Sequence, residues 1–191
     1  MSIPRAPLPA ALVICLFSAR PEWMDAATSQ LTTRFGPTLE ASPPLPFTET
    51  AYYVAEFGTP LTRRILRFAR LIPQDTLAQI KLDCIEVEAA QSEAGQRRVN
   101  IDPGLLTAER FILATAKNRP HRVPLASGIF ADLTLIFERD SLQPLPWTYP
   151  SWRSPEIIDL LNRFRAGYIV QLKGEGHLPC AAGEDKTCSG A

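Results

Sequence analysis

Ala10 to Ser18 is a nearly uninterrupted apolar stretch with Val13 and Ile14 at its centre, the pattern of a strand covered on both faces. Trp23, Ala27, Leu31 and Phe35 then recur every four residues, from Pro21 at a helix start to Gly36-Pro37 at its stop. Thr38 to Ala41 predicts a short returning strand, and Ser42-Pro43-Pro44-Leu45-Pro46 is too rich in proline for a central one. A helical segment follows over Thr48 to Phe57, with Gly58 as its terminator. Thr62 to Ile72 predicts a strand whose arginines snorkel at its edges, and Asp75 to Gln91 a second long helix through Leu77, Ile80, Cys84 and Val87.

Beyond Gly95 the period shortens. Arg97 to Asp102, Arg110 to Lys117, Arg122 to Leu125 and Ile129 to Arg139 read as strands, the last two joined by Ala126-Ser127-Gly128. Ser154 as cap, Pro155 at the first position and Glu156 on the dipole predict a closing helix to about Leu172. This order predicts an α+β fold: a ferredoxin-like β-α-β-β-α-β layer extended by a C-terminal antiparallel meander and a closing helix. Residues 1 to 9 read as a loose leader, 10 to 172 as one domain and 173 to 191 as a flexible tail.

Composition adds exclusions. Of 191 residues, 46% are hydrophobic and 21% charged, which excludes disorder throughout. Twenty basic and twenty acidic residues cancel, so no overall field recruits long nucleic acid or an anionic membrane. The run from Ala10 to Phe17 is too short to span a bilayer; behind Arg5 it imitates a signal peptide, but the helix after it needs that strand to pack against. Cys15, Cys84, Cys180 and Cys188 are scattered without a C-x-x-C, which points to a reducing, cytoplasmic setting. His177, Cys180 and Cys188 offer too few ligands in the tail for zinc, and no metal or other cofactor is indicated.

Candidate chemistry gathers in the second half. Asp102-Pro103-Gly104 reads as a type II turn, with Asn100 on the same strand face as Asp102 and able to act beside it. Strict alternation over Ile129 to Phe137 gives an apolar face for the two long helices and leaves Asp132 and Thr134 on the other, where Lys117 joins them. A solvated ion pair explains Lys117 and Asp132 equally well. His121 beside Arg122 sits at the rim of that face, and histidine suits proton transfer near neutral pH, so His121 and Asp132 are the candidate acid-base pair. Trp147 to Arg153 crowds three aromatics and an arginine; it either anchors a helix to the sheet or offers Tyr149 as a stacking wall and Arg153 to an anion. Glu49, Tyr52, Tyr53 and Glu56 share a helical stripe that reads as a lid or as a solvated face. Between Arg97 and Arg122 six basic residues face two acidic ones, an excess of four positive charges.

The blocks R-R-V-N-I-D-P-G-L-L-T, F-I-L-A-T-A-K-N-R-P-H-R-V, G-I-F-A-D-L-T-L and W-T-Y-P-S-W-R-S, with P-F-T-E-T-A-Y-Y-V-A-E-F-G upstream, resemble the prokaryotic domain-of-unknown-function family 4416. The resemblance covers nearly all of residues 10 to 172 and implies no established activity; some members bear the label GTP-binding protein. A P-loop needs G-x-x-x-x-G-K-[ST], and none of the ten glycines begins one. Where relatives often have T-K-D this chain has Ala116-Lys117-Asn118, and Asp132 stands where they more often have glutamate. The expectation is a polar pocket on the sheet for a small anionic metabolite or nucleotide, formed by Asn100, Asp102, Lys117, Arg122, Tyr149, Arg153, Tyr52 and Glu56 around His121 and Asp132. The alternative is a non-catalytic protein-interaction module docking through the aromatic loop and the Glu49 to Glu56 stripe.

Overall fold

A computed structural model describes residues 3–48 and 53–179, excepting the side chains of residues 54 and 55. The apolar run forms β1 (Ala10–Ser18), every residue of it buried. It leads to α1 (Pro21–Phe35), β2 (Thr38–Ala41), the two-residue β3 (Leu45–Pro46), the single-turn α2 (Val54–Phe57) and the long β4 (Thr62–Ile72). Then come α3 (Leu77–Ala90), β5 (Asn100–Leu106), β6 (Arg110–Thr115), β7 (Arg122–Pro124), β8 (Phe130–Glu138), β9 (Ser141–Pro144) and α4 (Pro155–Gly174). The strands make one large antiparallel sheet in the order β2-β4-β1-β5-β6-β8-β7, with β3 on β4 and β9 on β8.

The fold is therefore α+β, a large antiparallel sheet with three principal helices, the last closing the chain. β3 and α2 interrupt the expected six-element layer and the meander prolongs its sheet, so a ferredoxin-like unit does not describe the whole topology.

Both faces of the sheet are covered, which is why β1 shows no polar alternation. Ala10, Leu12, Ile14 and Leu16 pack with Met24, Ala27 and Leu31 of α1 and Ile80, Cys84 and Val87 of α3. Ala11, Val13 and Cys15 point the other way, into a second core with Leu161, Phe164 and Tyr168 of α4. Burial on two faces also corrects the arginines of β4. Arg63 and Arg67 are 2% and 3% exposed rather than snorkelling; Arg67 pairs with Glu40 and donates to Gln171 of α4 at 3.1 Å. Gly167 admits that guanidinium, since a Cβ there would lie 2.9 Å from Arg67 Nη2.

Several expectations are overturned by long-range geometry. Asp102-Pro103-Gly104 is not a turn but the middle of β5, where Gly104 pairs with Val13 on one side and Leu113 on the other. Gly104 is absent from the positive-φ residues; its requirement is space, because a Cβ would meet Ile112 O at 2.7 Å and the Phe111 ring at 2.8 Å. Strict alternation fails in β8. Phe111 faces Leu135 but Ile112 faces Leu133, so Thr134 is an extra residue in a bulge that resets which face each neighbour takes. Leu135 and Phe137 consequently pack beneath α4 rather than on the two earlier helices, while Ile129, just before the strand, joins the core of α1 and α3.

The missed β9 follows a tight turn with Arg139 and Asp140 at φ 50° and 66°, made without glycine. Ser154 precedes α4 without a hydroxyl cap, and its Oγ is buried and unbonded. No helix among the described residues is long and apolar enough to cross a membrane.

Candidate functional site

The site begins where the sheet opens. β6 pairs with β5 along Gly104–Leu106, leaving the half of β5 from Asn100 to Pro103 without a strand neighbour on that side among the described residues. In antiparallel pairing the N–H and C=O of one residue point to the same side, so the groups of Ile101 face the opening. Helix α3 satisfies them with side chains. Ile101 N–H donates to Glu88 Oε1 at 2.6 Å, and Lys81 Nζ donates to Ile101 O at 2.6 Å. Pro103, of the same parity, needs no donor partner on that side, which explains a proline inside a strand.

Lys81 and Glu88 extend a polar network. Lys81 Nζ reaches Asp102 Oδ1 at 3.1 Å, and Asn100 Nδ2 donates to Asp102 Oδ2 at 2.7 Å. Arg97 Nη1 donates to Glu88 Oε2 and to Asn100 Oδ1, both at 3.2 Å, and its other edge forks onto Glu56 at 2.7 and 3.0 Å. Burial alone would lower the Lys81 pKa, but the charges of Asp102 and Glu88 outweigh it and hold the ammonium above its ordinary range. Burial raises the Glu88 carboxyl against the pull of Lys81 and the Ile101 amide. Arg97 is raised chiefly by its bond to Glu56. Cys15, beside Asp102 across the β1–β5 pairing, is pushed up to about 12 by burial and stays a thiol.

Above this network lies a cavity of about 550 Å³, within the range of small-molecule sites. One side carries Phe17, Phe47 and Tyr53, with Tyr149 to Trp152 ahead of α4 forming another wall. The opposite side is built by Leu113, Thr115, Lys117, Arg119, Arg122 and Asp132 from β6, β7, β8 and the loop between β6 and β7. Among the described residues the wall holds Arg63, Lys81, Arg97, Lys117, Arg119 and Arg122 together with Glu88, Asp102 and Asp132.

Of the residues singled out in the sequence, Asn100, Asp102, Lys117, Arg122, Asp132 and Tyr149 line this cavity. Asp132 is 8% exposed and sits opposite Leu113 in the register; its Oδ2 accepts from Arg122 Nε at 2.8 Å, so its close basic partner is Arg122 and not the expected Lys117. Lys117 lies just past the end of β6, its amide on Thr115 Oγ1 and its carbonyl accepting from Arg122 Nη1 at 2.7 Å. His121 is not in the cavity wall. Its ring stacks on Trp147 at 5.4 Å, and its buried Nε2 is 3.5 Å from Asp132 Oδ2 without a hydrogen bond.

Arg153 is likewise outside the wall, donating to the carbonyls of Thr148, Leu145 and Pro146. Glu56 is tied to the site through Arg97. Tyr53 packs on Phe17 at 4.6 Å, and Glu49 and Tyr52 lie outside the described residues. Sequence reasoning missed Lys81, Glu88, Arg97 and Arg63. The available signal was on α3, where Lys81 and Glu88 fall within the stripe of Leu77, Ile80, Cys84 and Val87, a place where unpaired charges are not kept. Among the described residues no cluster of histidine, cysteine and carboxylates has the make-up of a metal site.

An antiparallel sheet split by a helix-borne ion network, with a charged and aromatic cavity over the split, defines the class: an α+β protein with a polar cleft on its sheet. The family model described as Domain of unknown function (DUF4416) matches residues 8–168, and the chain belongs to that family. No curated protein and no solved structure matches the chain.

Proposed function

We propose that the cleft binds a small anionic metabolite or nucleotide. The observation that carries this is Arg122. Its side chain is 4% exposed and it is one of the residues lining the cavity; Nε is bound to Asp132 and Nη1 to the Lys117 carbonyl, while Nη2 makes no hydrogen bond among the described residues. A guanidinium fixed on two sides in a cavity wall, with a third nitrogen that has no acceptor among the described residues, is a preorganised anion donor.

Asp132 supports acid-base chemistry by its place in the wall, and a role for His121 runs through Asp132 rather than through direct contact. The protein-docking alternative draws less support: Glu56 and Arg153 spend their charges on internal partners, and Trp147 donates its indole N–H to Leu133 O.

A melting-temperature screen against inorganic phosphate, dicarboxylates, sugar phosphates and mononucleotides tests the reading. A ligand at about a hundred times its Kd stabilises by about 2.7 kcal/mol, a rise of several degrees for a chain of this length. Lys117→Ala and Arg119→Glu should remove the rise while leaving ligand-free melting close to that of the parent. If none of these anions shifts melting, the proposal is wrong.

A further inference from the structure

Charge and aromatic surface are segregated within the cleft. The floor is balanced, since Lys81 and Arg97 are matched by Glu88 and Asp102 within 3.2 Å contacts. It has no surplus to offer an anion. The β6–β7 side holds Arg119 and Arg122 beside Asp132, and Arg122 Nη2 makes no hydrogen bond among the described residues. The far side is different in kind. Phe17, Phe47 and Tyr53 pack at tilted angles with centroids 4.6 to 6.3 Å apart, Phe17 and Phe47 buried in that cluster, whereas Tyr149 of the cavity lining is 53% exposed.

We infer that the ligand is bipartite: a phosphorylated molecule with a planar ring, its phosphate at Arg122 and Arg119 and its ring against Tyr149. This rests on the anion-cleft reading and deepens it. A phosphate matches a guanidinium by charge and by parallel N–H donors. A planar ring gains from an aromatic wall whatever its heteroatoms, because any π-face stacks. Between the two, Asp102 and Asn100 present acceptors and donors to hydroxyl groups, as a sugar linking ring and phosphate would carry. The volume of about 550 Å³ accommodates a molecule of mononucleotide size.

Calorimetric titration of the full chain with adenosine, guanosine, their 5′-monophosphates, ribose 5-phosphate and inorganic phosphate tests the arrangement. At least one monophosphate should bind about tenfold or more tighter than its nucleoside and than ribose 5-phosphate. Two substitutions at exposed positions separate the ends without threatening the fold. Tyr149→Ala should weaken the monophosphate and leave ribose 5-phosphate unchanged, whereas Arg119→Ala should weaken both phosphates and leave the nucleoside unchanged. Ribose 5-phosphate binding as tightly as the monophosphates, with Tyr149→Ala silent, overturns the ring assignment and leaves the anion cleft standing. Nucleosides binding as tightly as their monophosphates overturns the phosphate end. Failure of every phosphate to bind overturns this inference and the anion-cleft reading together.

Discussion

Single residues in this protein are constrained by what lies across the sheet from them. Gly104 sits between β1 and β6 with a backbone carbonyl and an aromatic ring inside the radius of any Cβ, at 2.7 and 2.8 Å. The carbonyl belongs to a paired strand and cannot retreat without breaking its ladder. Gly104→Ala should therefore cost about 1–3 kcal/mol by overpacking, read from urea denaturation with an unchanged m-value. An unaffected midpoint would mean that β5 and β6 are free to separate. Asp132 and Arg122 form the other tightly determined pair, 8% and 4% exposed. Arg122→Ala should lose about 3–5 kcal/mol by stranding a buried carboxylate, and Asp132→Asn in the same chain should recover part of it.

At the scale of elements, α3 does the work of a missing strand. Its Lys81 and Glu88 close the backbone groups of Ile101 where β6 has turned away, so the split in the sheet is stable without a ladder. An acceptor at position 88 is then worth more than a charge. Glu88→Gln keeps an oxygen for the Ile101 amide, whereas Glu88→Ala leaves a buried N–H unsatisfied. The alanine variant should be less stable than the glutamine variant by about 1–3 kcal/mol, with faster exchange of the Ile101 amide as the local signature. Equal stabilities would assign the N–H another partner.

For the whole molecule, two cores on opposite faces of one sheet bury several groups that gain or lose protons at alkaline pH. The Cys15 thiol is pushed up to about 12 from 9.0 by burial, and the Tyr168 phenol to about 12 from 10.0 by the same cause. Lys81 is held above 10.5 by Asp102 and Glu88 despite burial. In each case the folded chain keeps a proton that the unfolded chain releases first, so stability falls as pH rises. The loss should begin near pH 9, where an unfolded cysteine titrates, and deepen toward pH 12. Denaturation midpoints measured from pH 8 to 11 check the slope, and Cys15→Ala should flatten its first part.

The chain by itself determined what depends on neighbours in sequence. Periodicity placed β1, α1, β2, β4 and α4 to within a residue or two, because burial on one or two faces writes a repeat of two, of three to four, or none. The same locality exposed Asn100, Asp102, Lys117, Arg122, Asp132 and Tyr149 as polar or exposed groups out of keeping with a simple core. Which of them meet was decided by tertiary structure. The one-residue bulge at Thr134 turned Leu135 and Phe137 to the face that carries Asp132, the divergence of β6 from β5 opened the cleft, and α3 filled the opening with a lysine and a glutamate from its apolar stripe. His121 was separated from the cavity and seated on Trp147 by the loop that brings β7 to the outer side of β8. None of these has a local signature, since a bulge, a strand's departure and a helix's rotation are settled by which distant surfaces pack best, and only the folded chain brings those surfaces together.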